Sequence, residues 1–284
     1  MATVEANRRE YMNREGMRLV ATEVGPADGP VVLFMHGGGQ TRASWKGSID
    51  DLGKAGYRAI TVDLRGHGES EWSPAGSYAV HAFADDLIDL LAQLPPRPAL
   101  VGASLGGLTS LVVLGNGAPD LARALVLVDV VPRVELGGAQ EIKAFMQADP
   151  DGFESVDAAA EAVAAYLPHR PRPADSSGLL RNLRLKEDGR YYWHWDPRMM
   201  ADFGRSDLTA LSAELEAAAR KITVPTLLVR GGRSRVVTEA GAQTLRTLIP
   251  HAEVAKIDDA DHMVAGDAND AFHAPLVDFL ARNS

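Results

Sequence analysis

The chain has 284 residues, of which 46% are hydrophobic and 24% charged, and its formal net charge is −9. This composition is typical of a soluble globular protein, and the acidic balance argues against a nucleic acid or an anionic membrane as the main partner. The absence of cysteine excludes disulfides, thiolate metal sites and a cysteine nucleophile. The first 30 residues contain no apolar signal segment, and no apolar run has membrane-spanning length, so we expect a cytoplasmic protein that does not bind membranes.

Apolar runs alternate with amphipathic helical patterns along most of the chain. We predict two short strands around a turn at 14–16, and further strands at 30–35, 57–62, 98–101, 124–128, 224–229 and 252–257. Helices are predicted near 43–55, 83–94, 105–116 and 238–249 and at the end of the chain. Strands that alternate with helices this regularly indicate an α/β fold with a doubly wound, mostly parallel sheet.

The segment 134–220 does not follow this alternation of strands and helices. Its pattern predicts helices near 141–148, 155–166 and 207–220, with the aromatic run YYWHW at 191–195 between the last two. An insertion that leaves one strand end and returns at the next lies over the carboxyl ends of the strands, where open α/β sheets bind ligands. We therefore predict a core domain formed by 1–133 and 221–284, and a helical cap at 134–220.

A serine follows the apolar strand at 98–101 within the segment GASLG at 102–106, which opens a helical pattern. Small flanking residues suit a tight strand-to-helix turn, which exposes the serine hydroxyl at the positive end of a helix. This setting predicts that Ser104 is a nucleophile.

Five local patterns, in this order along nearly the whole chain, resemble those of the α/β-hydrolase family. They are HGGG at 36–39, DLRGHGES at 63–70, the serine turn, the cap position and DHMVAGD at 261–267. Within the superfamily the chain is most similar to the capped esterase, haloperoxidase-like and epoxide-hydrolase-like group. The resemblance implies an eight-stranded sheet with the cap inserted after the sixth strand. Because epoxide hydrolases carry an aspartate nucleophile, Ser104 points instead to acyl chemistry.

The resemblance also implies roles for residues near the serine. His262, after the last strand, is the expected base for Ser104, although Asp261 precedes it where the family usually has glycine. The backbone N–H groups of Gly38 and Leu105 are the expected oxyanion hole. The glycines at 37–39 also imitate a dinucleotide-binding loop, but Arg42 stands where that motif needs its third glycine.

A serine hydrolase completes its catalytic triad with an acidic residue that orients the histidine, and here the residue at the usual position of this acid departs from the family pattern. Relatives commonly have an aspartate shortly after the seventh strand, and Arg235 stands at that position here. Asp129, which ends the sixth strand, is the leading substitute, because some capped relatives carry their acid there. Asp258 and Asp259 are alternatives. A triad without an acid also stays open, with Arg235 bound to an anionic substrate group or turned to solvent.

Trp193 and Trp195 either line the substrate pocket or form a small core within the cap. Together with Arg235 they are the candidate substrate-binding residues. The sequence contains no metal-ligand spacing and no phosphate-binding loop, so we expect no metal and no cofactor. His67, within DLRGHGES, is expected to support a turn rather than to take part in catalysis.

These patterns predict a serine hydrolase that cleaves a small carboxylic ester, thioester or lactone through an acyl-enzyme, as a monomer or homodimer. One alternative is a C–C bond hydrolase or a perhydrolase with the same Ser-His pair. The other is a ligand-binding protein of this fold without hydrolytic activity, which Arg235 favours.

Overall fold

The computed structural model describes residues 5–116, 119–133, 136–166, 175–201, 207–258, 260 and 269–283, with only the backbone at 119, 136, 139 and 269–271. The strands are β1 (Ala6–Met12), β2 (Arg18–Val24), β3 (Val31–Met35), β4 (Arg58–Val62), β5 (Ala99–Ala103), β6 (Ala124–Val128), β7 (Leu183–Leu185), β8 (Tyr191–Trp193), β9 (Thr226–Gly231) and β10 (Glu253–Ile257). The helices are α1 (Lys46–Lys54), α2 (Val80–Leu91), α3 (Leu105–Gly115), α4 (Leu136–Gln147), α5 (Val156–Tyr166), α6 (Leu208–Ala219), α7 (Glu239–Leu248) and α8 (Asn269–Arg282).

Eight strands pair into one sheet in the order β1-β2-β4-β3-β5-β6-β9-β10. Strand β2 is antiparallel to β1 and β4, and the other neighbours are parallel. Strands buried on both faces of a parallel sheet are continuously apolar, and β3 (VVLFM) and β6 (ALVLV) are buried at every position. The predicted mostly parallel, eight-stranded α/β sheet is confirmed.

Helices cover both faces of this sheet because side chains alternate along each strand. Leu33 of β3 belongs to the apolar layer under α2 and α3, whereas Phe34 belongs to the opposite layer, under α1 and α8. Within the described part of the chain, no helix is long and apolar enough to cross a bilayer.

Between β6 and β9 the chain leaves the sheet and forms α4, α5, the β7–β8 hairpin and α6; we call this the β6–β9 segment. It is tied to the loop after β4 through buried Asp196, whose N–H donates to the Gly66 carbonyl at 2.9 Å. The Asp196 carboxylate accepts hydrogen bonds from the Tyr78 hydroxyl at 2.6 Å and from Arg198. These bonds fix the end of the hairpin beside the core. The division into core and cap stays a prediction.

The β7–β8 hairpin is an element that the sequence analysis missed. Its antiparallel strands join Leu183 to Trp193 and Leu185 to Tyr191. An Asp-Gly pair between a strand-like run and an aromatic run is a hairpin signal, and Asp188-Gly189 provides it, with Gly189 at φ 77°.

Candidate active site

Ser104 lies in the turn between β5 and α3 with a strained backbone. Its φ is 43° and its ψ is −110°. The Ser104 N–H donates to the Val128 carbonyl at 3.2 Å, and the Ser104 carbonyl accepts from the Leu108 N–H at 2.9 Å. A non-glycine residue in such a conformation costs on the order of 1–3 kcal/mol and persists only where its surroundings hold it, most often at functional sites. The structure therefore places the predicted nucleophile in the predicted turn.

The turn is possible because α3 approaches the sheet very closely. A Cβ atom added to Gly102 would lie 2.5 Å from the backbone of Gly106, and one added to Gly106 would lie 2.6 Å from the Met35 carbonyl oxygen. Real Cβ atoms do not approach backbone atoms this closely, so both positions require glycine.

Replacing Gly106 by alanine is therefore expected to lower the free energy of unfolding by about 1–3 kcal/mol, through overpacking against the Met35 backbone. Urea unfolding measures this change. Gly137→Ala in α4 is the matched control, because a Cβ there meets nothing within 4 Å. It is expected to raise the stability by up to about 1 kcal/mol, since alanine favours helices. Equal stability of Gly106→Ala and the wild type would contradict this account of the turn.

Asp129 lies level with Ser104 on the neighbouring strand. Ala103 of β5 and Val128 of β6 are register partners, so the residues that follow them end adjacent parallel strands at the same edge. Asp129 is fully buried and also has a positive φ, 47°. Its Oδ1 accepts the Gly231 N–H at 3.0 Å, and its Oδ2 accepts the Ser234 hydroxyl at 2.5 Å. Asp129 thus provides a buried, hydrogen-bonded carboxylate at the sheet edge where Ser104 lies.

The segment that has Arg235 in place of the usual acid is oriented through Ser234. The Ser234 hydroxyl accepts the N–H groups of Val236 and Val237 at 3.1 Å while it donates to Asp129. Arg235 turns outward, is 70% exposed and donates to Glu141 of α4 at 3.0 Å.

Of the alternative acids, Asp258 is 80% exposed and pairs with Lys256 at 2.8 Å. Asp259 lies outside the described residues. So do Asp261 and His262, the expected base. His262 therefore stays a prediction.

The loop 37–39 after β3 lies next to Ser104, and a Cβ added to Gly37 would be 3.3 Å from the Ser104 Cβ. Gly39 is held from both sides. Its N–H donates to Nε2 of His67 at 3.1 Å, and its carbonyl accepts from Nε2 of His194 at 3.4 Å. His194 follows β8, so the β6–β9 segment helps to fix this loop.

Three buried imidazoles, those of His36, His67 and His194, form a cluster behind the loop. The ring centroids of His36 and His67 are 4.8 Å apart, and those of His67 and His194 are 5.8 Å apart. Each ring accepts a backbone N–H on one nitrogen, from Leu64 to His36 at 3.0 Å and from Gly68 to His194 at 2.7 Å.

A nitrogen that accepts a hydrogen bond carries no proton, so all three imidazoles of the cluster are neutral. Burial lowers the pKa of each, that of His36 to about 3, and the guanidinium groups of Arg42 and Arg184 lower the pKa values of His36 and His194 further. His67 supports backbone, as expected. The contacts of His67 with His36 and His194 were missed, because these histidines lie far apart in the sequence and show no common periodicity.

A cavity of about 290 Å³ opens beside Ser104. Gly38 and Leu105 also line it. In the described part of the chain, the N–H of neither has a hydrogen-bond partner. The Leu105 N–H belongs to the first turn of α3, where the helix dipole favours negative charge. The cavity is therefore lined by a serine and by two residues whose backbone N–H groups have no partner among the described residues.

Aromatic and aliphatic side chains form most of the cavity wall. Trp193 and Trp195 both line it, and their rings stack with centroids 4.9 Å apart and planes inclined by 12°. Trp193 also contacts Phe153, at 5.1 Å between centroids, within the β6–β9 segment. The two tryptophans thus line the cavity and also pack within the segment. Arg235 is not among the described residues that line the cavity.

Helices α4 and α5 also contribute to this wall, which was not predicted from the sequence. They provide Ile142, Lys143, Phe145, Met146, Val163 and Tyr166. The spacing of Ile142, Phe145 and Met146, at i, i+3 and i+4, marks one helical face and was the available signal. Among the described residues, no group of three or more His, Asp or Glu side chains is arranged to hold a metal ion.

Comparisons with known proteins agree with this architecture. The sequence model of the family described as alpha/beta hydrolase fold matches residues 30–268. Esterase Rv0045c of Mycobacterium tuberculosis is 35% identical over 248 residues, 84% of this chain and 78% of that protein. The 2-(acetamidomethylene)succinate hydrolase of Mesorhizobium japonicum is 33% identical over 242 residues, 83% of this chain and 82% of that protein.

Among solved structures, E-2-(acetamidomethylene)succinate hydrolase superposes with a TM-score of 0.86 at 27% identity, covering 98% of this chain and 100% of that one. The similarity extends through the sheet and the β6–β9 segment, because nearly the whole of both chains is aligned.

Proposed function

Because the chain belongs to the α/β-hydrolase family and is a hydrolase, we propose that it cleaves small carboxylic esters, thioesters or lactones with Ser104 as nucleophile. The observation that carries the proposal is the strained Ser104 turn at the edge of an apolar cavity, next to a buried carboxylate. An esterase and a hydrolase among the relatives, each more than 30% identical, support the same chemistry.

In the proposed mechanism, His262 accepts the Ser104 hydroxyl proton as Oγ attacks the carbonyl carbon, and Asp129 orients the imidazole and stabilises its protonated form. The chain leading to His262 supports this assignment. The Ala260 carbonyl accepts the Arg233 N–H at 3.0 Å, and the next residue, Ser234, donates to Asp129. The predicted base therefore follows a residue that is anchored beside the Asp129 network.

The negative charge that develops on the carbonyl oxygen needs hydrogen-bond donors. We assign this role to the N–H groups of Gly38 and Leu105, and each such donor contributes roughly 3–4 kcal/mol to transition-state stabilisation. Collapse of the tetrahedral intermediate breaks the bond to the leaving group, which takes the proton from His262. Water, deprotonated by the same imidazole, then attacks the acyl-Ser104 ester and releases the acid.

A fluorophosphonate probe tests the nucleophile. We expect stoichiometric labelling of the wild type, mapped by peptide mass spectrometry to Ser104, together with turnover of p-nitrophenyl acetate. Ser104→Ala is expected to lose both. Ser44 is a matched control, because it is a second serine in the cavity wall, and Ser44→Ala is expected to keep the labelling. An unlabelled wild type, or a label on Ser44, would refute the assignment.

A further inference from the structure

One lysine of the cavity wall has no ionic partner among the residues that the structure describes. Lys143, on α4, is half-buried and lines the cavity. In the part of the chain that the structure describes, its ammonium forms no hydrogen bond or ion pair. Arg133, the other cation among the described lining residues, pairs with Glu216 at 2.9 Å. No aspartate or glutamate is among the described lining residues.

The surroundings of Lys143 make this arrangement unfavourable without a ligand. Its neighbours in the wall, Ile142 and Met146, are apolar, and removing an ammonium from water without an anion costs free energy. The nearest carboxylate along the helix, that of Glu141, is already engaged by Arg235 on the outer surface. The described lining of the cavity therefore carries positive charge in a protein whose formal net charge is −9.

We propose that Lys143 binds a carboxylate of the substrate, so that the preferred substrates are esters, thioesters or lactones that carry a free carboxylate. The apolar wall holds the carbon chain, and the ammonium neutralises the charge at its end. This inference rests on the proposed function, because it takes the cavity beside Ser104 as the place of reaction.

Ligand binding tests the inference independently of catalysis. Adipate and its neutral diamide, adipamide, are titrated while the intrinsic tryptophan fluorescence is followed, to which Trp193 and Trp195 of the wall contribute. In Lys143→Met the Kd for adipate is expected to rise about 10- to 100-fold, as for a lost hydrogen bond to a charged group, and that for adipamide to stay unchanged. Lys46→Met, which removes an exposed charge, is expected to behave as the wild type.

Kinetics give the second readout, with mono-p-nitrophenyl adipate as the charged substrate and p-nitrophenyl hexanoate as its neutral match. Lys143→Met is expected to lower kcat/KM for the charged ester about 10- to 100-fold, mainly through KM, and Lys143→Arg to restore most of it. An unchanged ratio of the two substrates in Lys143→Met, or adipate that does not bind the wild type, would overturn the inference. If the wild type hydrolyses neither ester, the proposed function fails, and the adipate titration still decides the role of Lys143.

Discussion

Replacing Asp129 by asparagine is expected to lower kcat for p-nitrophenyl acetate by about 10⁴-fold. Asparagine has nearly the same shape, and its oxygen still accepts the Gly231 N–H that Oδ1 accepts at 3.0 Å. The amide nonetheless carries no charge to stabilise a protonated His262, and its NH₂ group favours the wrong imidazole tautomer. The loss is therefore expected in the chemical step, with KM nearly unchanged.

A folding check on Asp129→Asn and two further variants test whether the loss of kcat comes from the Asp129 carboxylate. Circular dichroism and thermal unfolding establish that Asp129→Asn is folded. Asp258→Asn is the matched control, because Asp258 is exposed and paired with Lys256, and it is expected to keep the wild-type kcat. Ser234→Ala removes one donor to Asp129 and is expected to cause a smaller loss than Asp129→Asn. Wild-type kcat in a folded Asp129→Asn, or a large loss in Asp258→Asn, would assign the acid elsewhere.

The fold was predictable because its signals are local. The runs VVLFM and ALVLV are apolar at every position, which is typical of strands buried on both faces, and β3 and β6 are indeed buried throughout. The turn at Ser104 was likewise predictable from neighbouring residues, since the helix and sheet backbones meet at Gly102 and Gly106. Local patterns of this kind need no knowledge of the tertiary structure.

The network around Asp129 was only partly predictable. Its place at the end of β6 follows from the strand pattern, but its hydrogen bond to Ser234 joins residues 105 positions apart. The family pattern in the sequence pointed to Arg235, the residue at the usual position of the acid. The structure shows that the neighbouring serine faces inward and the arginine faces Glu141. Which of two adjacent side chains faces the site depends on loop geometry, and the sequence pattern does not encode it.

The cavity wall was also only partly predictable from the sequence. The aromatic run near 193 indicated Trp193 and Trp195, whereas Lys143 was not singled out. A single lysine on an amphipathic helix is ordinarily solvated, and its position in the cavity wall depends on how α4 packs over the loop 37–39. Packing of this kind brings Met146 to within 3.6 Å of a Cβ added to Gly39.

Acidification below about pH 6.5 is expected to destabilise the folded protein through the histidine cluster. Burial lowers the pKa values of His36, His67 and His194 in the folded state below the ordinary 6.5, and that of His36 reaches about 3. Between the lowered pKa of each histidine in the folded state and 6.5, the unfolded chain binds a proton that the folded chain does not, so stability falls as the pH falls. Each histidine adds about 1.4 kcal/mol per pH unit to the slope of the free energy of unfolding against pH, and above pH 6.5 it adds nothing to this slope.

The variant His194→Asn isolates one member of the cluster. Its Oδ1 can accept the Gly68 N–H as Nδ1 does in the wild type, but it does not titrate. Urea unfolding from pH 8 to pH 4.5 is expected to give equal slopes of stability against pH for variant and wild type above pH 6.5. Below pH 6.5, the free energy of unfolding of the variant is expected to fall less steeply with falling pH than that of the wild type, by about 1.4 kcal/mol per pH unit. Parallel stability curves down to pH 4.5 would mean that His194 is already protonated in the folded protein, and the proposed neutral cluster behind the loop would then be wrong.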